Sequence, residues 1–148
     1  MRQIPYFHAQ ACNNALANHR LLTACWQLTS DELAAKRTSF FPSIIHSLNH
    51  ILTVDWFYVS ALEGACIGYS AFEPEIPHPD IVSLEREQRA IDRRLIAVCD
   101  GRSEAFLVET ADLIRDGWIQ TEQIGRILLH LFQHQTHHRG QVHAMLSG

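Results

Sequence analysis

Residues 127–146 read Ile-Leu-Leu-His-Leu-Phe-Gln-His-Gln-Thr-His-His-Arg-Gly-Gln-Val-His-Ala-Met-Leu and hold five of the chain's ten histidines. On a helix turning about 100° per residue, His134 and His138 fall about 40° apart, in the sector of Ile127, Leu131, Val142 and Met145. Any fold that buries this apolar sector therefore buries two imidazoles with it. An unpartnered polar group in a core costs on the order of 1–3 kcal/mol, so the fold must bring the pair a partner. A metal ion is the first candidate, because histidines at i and i+4 present two ring nitrogens on one helix face. The intervening Gln135-Thr136-His137 lacks the glutamate of a metallopeptidase helix, which argues against peptide hydrolysis.

A third ligand has to come from elsewhere in the chain. Ser43 to Glu63 forms a second strongly apolar helix, opened by Pro42-Ser43 and closed by Gly64. On it His50 shares a stripe with Ser47, Val54, Phe57 and Ala61. His46, about 40° off the same line, is the fallback. Three neutral imidazoles leave coordination positions free, the pattern of a catalytic rather than a structural site. Imidazole suits zinc, nickel, iron or copper, and ligand type does not choose among them.

On the last helix Gln141 lies about 20° and His137 about 60° from His134, so both are candidates for supporting the ligands or facing a substrate. His130 is similar, whereas His143 points away. The competing reading makes the three histidines ordinary core residues, bonded to one another or to Ser47, Thr53 and Tyr58. Asp55 lies about 140° from His50 and faces elsewhere, so no inward carboxylate offers an obvious general base.

The remaining text is helical with two interruptions. Residues 8–28 carry Ala11, Ala15, Leu16, Leu22, Cys25 and Trp26 at helical spacing, with His8 and His19 as surface or helix-end residues. Thr29-Ser30-Asp31-Glu32 then caps a short piece to about Lys36. Residues 65–79 are a Pro- and Gly-punctuated loop with His78 on its surface. Asp80 to Gly101 is a helix with Leu84, Ile91, Leu95 and Val98 as its inner seam and a solvated charged face. Residues 103–118 read as a crossover, with a short strand expected at 105–110 and a turn at Asp116-Gly117. The last helix is expected from about Thr121 to Met145 despite Gly125 and Gly140, each of which weakens a helix by about 1 kcal/mol relative to Ala.

A chain of 148 residues fits a single domain, and a net charge of -4 with no Lys/Arg block argues against nucleic acid as a partner. No apolar run reaches membrane-spanning length, and the N-terminus lacks a signal-peptide core, so a cytoplasmic location is expected. Cys12, Cys25, Cys66 and Cys99 form no paired motif and read as small core residues. Ile45, Leu48, Leu52 and Trp56 form a second apolar stripe opposite that of His50. Either the short helix near residue 33 or a second subunit would cover it, and a homodimer is the expectation.

Three stretches carry a family resemblance: Phe40-Phe41-Pro42-Ser43-Ile44, Leu48-Asn49-His50-Ile51-Leu52-Thr53-Val54-Asp55-Trp56, and His134-Gln135-Thr136-His137-His138-Arg139-Gly140-Gln141-Val142. They closely resemble the DinB family of the DinB/YfiT-like metalloenzymes, and Asn18-His19-Arg20-Leu21-Leu22 looks like that family's first-helix signature. The resemblance implies an all-α four-helix bundle with a long crossover connection, usually dimeric. It also implies a divalent metal ion (zinc, nickel or iron) on His50, His134 and His138. Other members of that superfamily are thiol S-transferases and isomerases that use small thiols such as bacillithiol or mycothiol. The expected function is therefore a metal-dependent thiol S-transferase, with a small-molecule thiol and an electrophile as partners and His137 or Gln141 orienting them. The alternatives are a non-catalytic, stress-associated metal-binding bundle and, more weakly, a metal-dependent hydrolase.

Overall fold

Each helix starts where another group satisfies its free backbone N–H groups. In the computed structural model, which describes residues 2–65 and 67–148, helix α1 spans Ile4–Cys25 with Pro5 in its first turn. Its leading N–H groups, those of Gln3 and Ile4, donate to the Glu104 carboxylate at 2.9 Å each. Helix α2 (Ser30–Ala34) follows a capping box in which the Thr29 hydroxyl accepts from Glu32 N–H and the Glu32 carboxylate accepts from Thr29 N–H. Ser43 caps α3 (Ile44–Leu62) by accepting from His46 N–H, and Asp80 caps α4 (Ile81–Cys99) by accepting from Ser83 N–H.

The chain then departs from the expected pattern. Residues Glu104–Val108 form a 3-10 turn rather than a strand, and the hairpin comes later, β1 (Thr110–Arg115) pairing antiparallel with β2 (Trp118–Gln123). Asp116-Gly117 is its two-residue turn, with Gly117 at φ +78 as such a turn requires. The last helix, α5, therefore begins at Ile124 rather than near Thr121 and runs to Ser147.

Helices α1 and α3 each pack on both α4 and α5, which makes a four-helix bundle. Contacts between α3 and α4 advance in step: Asn49 with His78 just before α4, Asp55 with Gln88, and Glu63 with Arg94. The two helices are thus parallel, and residues 63–80 must run back along the bundle. The long crossover is this segment, pinned by Asn49, which both donates to and accepts from the His78 backbone at 2.8 and 2.9 Å. His78 is accordingly half-buried against Trp56 rather than a free surface residue. The segment at 103–118, read as the crossover from sequence, instead joins two neighbouring ends.

One apolar cluster joins the helices, but a polar layer cuts through it. Arg139 donates from Nη1 to Asn14 Oδ1, to Asn18 Oδ1 at 3.0 Å and to Gln135 Oε1 at 2.9 Å. Asn18 passes hydrogen bonds on to Asp92, Gln135 to Asp55, and Gln88 bridges the two carboxylates at 2.8 and 3.0 Å. All seven side chains are buried. The inner face of α1 is consequently Ala11, Asn14, Asn18, Leu21, Leu22 and Cys25, while Leu16 and Trp26 of the expected stripe are exposed. On α4 the solvated face stops short of Gln88 and Asp92, which join the inner seam. Asp55 does face away from His50, but into the core, because every α3 residue except His46, His50 and Trp56 is buried.

Of the second apolar stripe of α3, Ile45, Leu48 and Leu52 are buried within one chain, where α2 with its buried Leu33 packs on α3, and Trp56 is half-buried. Cys25 and Cys99 are core residues as expected, Cys12 is exposed, and Cys66 lies outside the described residues.

Two outcomes follow for stability. A Cβ at Gly140 would meet nothing within 4 Å, whereas one at Gly125 would sit 3.1 Å from the Leu107 carbonyl oxygen. Gly140→Ala should therefore stabilise the fold by about 1 kcal/mol in urea titrations, while Gly125→Ala should gain nothing.

Burial raises the Asp92 carboxyl to about 6, and Asp55 is raised well above its usual range by burial and then by the charge of Asp92. Between the unfolded value near 4 and that raised value, the folded chain holds a proton that the unfolded chain has released. Stability from this source is complete below about pH 4 and declines as pH rises through 6. The unfolding free energy of wild type relative to Asp92→Asn should fall by roughly 2–3 kcal/mol between pH 4 and 7. A difference that stays flat with pH would contradict it.

Candidate metal centre

The antiparallel packing of α3 on α5 sets His50 against His134 and His138 near the start of α3. His50 Nε2 and His134 Nε2 are 3.0 Å apart, and one ring nitrogen from each of the three histidines lies within 4.8 Å of the others. Ring centroids are separated by 4.9 Å for His50–His134, 4.6 Å for His50–His138 and 4.3 Å for His134–His138. None of the three bonds to the side chains of Ser47, Thr53 or Tyr58. The Thr53 hydroxyl donates instead to the His50 backbone carbonyl, and Tyr58 packs against His130.

Burial makes these rings poor bases. It lowers His50 to about 4 and His134 to about 3, with the charges of the neighbouring histidines adding to the effect, and it lowers His138 as well. All three are therefore neutral at pH 7, the form in which imidazole can bind a metal. The chemistry of the set fits a divalent cation. Three neutral nitrogens converge, one hydrogen bond between two of them leaves the third unserved, and His134 Nδ1 is buried without a partner among the described residues. A cation would accept all three lone pairs at once.

Gln141 supports this arrangement. Its Oε1 lies 2.7 Å from His138 Nδ1, which places the proton on Nδ1 and leaves the Nε2 lone pair free. Its Nε2 is 3.4 Å from His137 Nε2. His137 itself is exposed, packs at 4.9 Å from the His138 ring, and lines a groove of about 700 Å³ between α1 and α5 with Phe7 and Phe132. His130 is exposed one turn from His134, at 6.3 Å between rings, and His143 is exposed on the outer face. His46 stays out of the cluster and reaches Glu75 at 3.4 Å.

Phe41 is a site residue that helical periodicity misses, because it precedes α3 in irregular chain. Its ring lies 4.2 Å from His50, 4.9 Å from His46 and 5.7 Å from His138, covering one side of the cluster. The only signal for it was its place in Phe40-Phe41-Pro42-Ser43.

Elemental analysis of the purified protein should give about one divalent ion per chain, falling to near zero in His50→Ala, His134→Ala and His138→Ala and unchanged in His46→Ala. Gln141→Ala should weaken metal affinity about 10–100-fold without abolishing binding. Full metal content in both His50→Ala and His138→Ala would sink the assignment.

The DinB family model matches residues 10–147. The fold is similar to that of a DinB-like protein from Bacillus cereus, whose crystal structure aligns with a TM-score of 0.76 at 17% identity, over 99% of this chain and 93% of that one. No curated protein sequence matches the chain. With a family model spanning nearly its whole length and its bundle shared with a DinB-like crystal structure, this chain belongs to the DinB family.

Proposed function

We propose that the protein is a metal-dependent thiol S-transferase, joining a small thiol to a small electrophile. The observation that carries this reading is the make-up of the cluster: three neutral imidazoles, with no carboxylate joining them among the described residues. A hydrolase must activate water, which a bound cation can bring from about 15.7 to about 7, and it generally keeps a base at hand to assist the attack. A thiol starts near 8.5 and needs far less help. A divalent cation, when bound, supplies positive charge that lowers the pKa of a coordinated thiol and so raises its thiolate fraction.

The chain's own groups account for the rest. Asp55, the nearest candidate base in sequence, has both carboxylate oxygens occupied by the amides of Gln88 and Gln135 inside the core. Gln141 holds the His138 ring in one tautomer. His137, exposed beside it and 3.4 Å from Gln141 Nε2, would take the thiol proton or orient the leaving group. In the transfer, the thiol loses its proton, sulfur bonds to the electrophilic carbon, and the leaving group departs with its electron pair. Among the described residues no cysteine is suited to supply the thiol: burial pushes Cys25 and Cys99 up to about 11, and Cys12 lies on the outer face of α1.

The test is conjugation of cysteine, glutathione or bacillithiol to 1-chloro-2,4-dinitrobenzene by protein loaded in turn with zinc, nickel or iron. Turnover should depend on metal and fall at least ~100-fold in His134→Ala, in line with loss of a metal that stabilises developing charge. If chelation lowers the melting temperature strongly while no thiol is conjugated under any loading, the metal is structural and the transferase reading fails.

A further inference from the structure

Along α5, the stripe that carries His134 and His138 continues one turn back to His130 and two turns back to Arg126, roughly 12 Å away. There the hairpin folds over α3 and α5 and leaves a cavity of about 220 Å³, lined among others by Tyr58, Arg115, Gln120, Glu122, Arg126 and His130. Arg126 is mostly exposed and lies 3.6 Å from Glu122, so these two largely cancel.

Arg115 is different. Its Nε and Nη2 donate to Gln120 Oε1 at 3.1 and 3.0 Å, Nη2 also reaches the Tyr58 hydroxyl at 3.4 Å, and Cζ sits 5.0 Å from the Phe57 ring centroid. These contacts fix the guanidinium without neutralising it. Among the described residues no carboxylate pairs with it, and its Nη1 hydrogens have no partner. Tyr58 is buried, and its hydroxyl accepts from Arg115, so its own proton has no acceptor among those residues. A fixed cation with a free edge and a phenol proton together suit a carboxylate, which accepts in pairs from a guanidinium.

We propose that this cavity is an anion subsite that binds a carboxylate of the thiol substrate while its sulfur sits at the histidine cluster. This rests on the transferase reading for the identity of the ligand. His130 lies between the two places, 6.3 Å from the His134 ring and 5.2 Å from that of Tyr58. A thiol of tripeptide length, about 10 Å extended, spans such a distance, whereas a two-carbon mercaptan does not. The subsite would therefore select thiols that carry a negative charge far from sulfur.

The experiment titrates cobalt-loaded full-length protein with glutathione and with glutathione diethyl ester, which removes both carboxylates, and follows the visible spectrum. Glutathione should bind at least ~10-fold more tightly than the ester, about what one charge-assisted contact contributes. Arg115→Gln should abolish that preference while leaving the ester's Kd within twofold, and Arg115→Lys should restore part of it. Thermal melts establish that both variants stay folded. Equal binding of the two thiols, a preference that survives Arg115→Gln, or no response to either thiol would overturn the subsite. Because the titration needs no turnover, a charge preference without conjugation would leave the subsite standing and remove the transferase.

Discussion

The bundle is organised around the burial of Arg139. A guanidinium inside a helical core is tolerated only when its charge and its donors are met there, since leaving either unmet costs several kcal/mol. Here no carboxylate pairs with it among the described residues. Three amide oxygens receive its Nη1, from Asn14 and Asn18 on α1 and from Gln135 on its own helix. The amide nitrogens of Asn18 and Gln135 then donate to Asp92 on α4 and Asp55 on α3. The amides of Asn18 and Gln135 are each polarised in one direction, from the guanidinium to a carboxyl group, so the relay links Arg139 to Asp92 and Asp55 without bringing them into contact, while Asn14 Nδ2 is buried without a partner among the described residues. All four long helices contribute, and a shift of α5 by one turn would strand the guanidinium in apolar surroundings.

That constraint is what places the histidines. Gln135 and Arg139 each directly follow a cluster histidine in sequence, His134 and His138. The side of α5 that grips the polar layer thus fixes the rotation of the side that faces His50. The cluster is held close by contacts made about 100° round the same helix. It stays neutral because the surrounding apolar layers leave its rings partly desolvated. Rigid support from one face and an uncharged donor set on the other is the division of labour a site for a metal needs.

Helix number, the inward pair on α5 and His50 were all legible in the sequence, because apolar residues at helical spacing report which way a side chain points. The polar layer was not. Asn14, Asn18, Gln88 and Asp92 break the apolar pattern at positions the packing buries, so a reading by hydrophobicity shifted the stripe of α1 onto Leu16 and Trp26 and put the charges of α4 in solvent. Four members of the layer, Asn18, Asp55, Gln135 and Arg139, nonetheless lie inside the stretches that carry the family resemblance. The hairpin was half legible: Asp116-Gly117 named the turn, but Trp118–Gln123 has no sustained apolar alternation and no buried residue. The direction of the crossover was invisible, since periodicity finds helices without saying which are parallel.

Phe41 gives the cluster a front and a back. Its ring lies over His50, His46 and His138, and no contact with His134 accompanies these. The closed side is hydrophobic and belongs to the chain between α2 and α3, so a solute cannot reach the rings from there without displacing an aromatic side chain. The open side is the His134 end, toward exposed His130. Molecules would therefore approach the rings only from the sides that Phe41 leaves open, and two reactants would have to share them. The order in which they arrive would then be set by the architecture as much as by affinity.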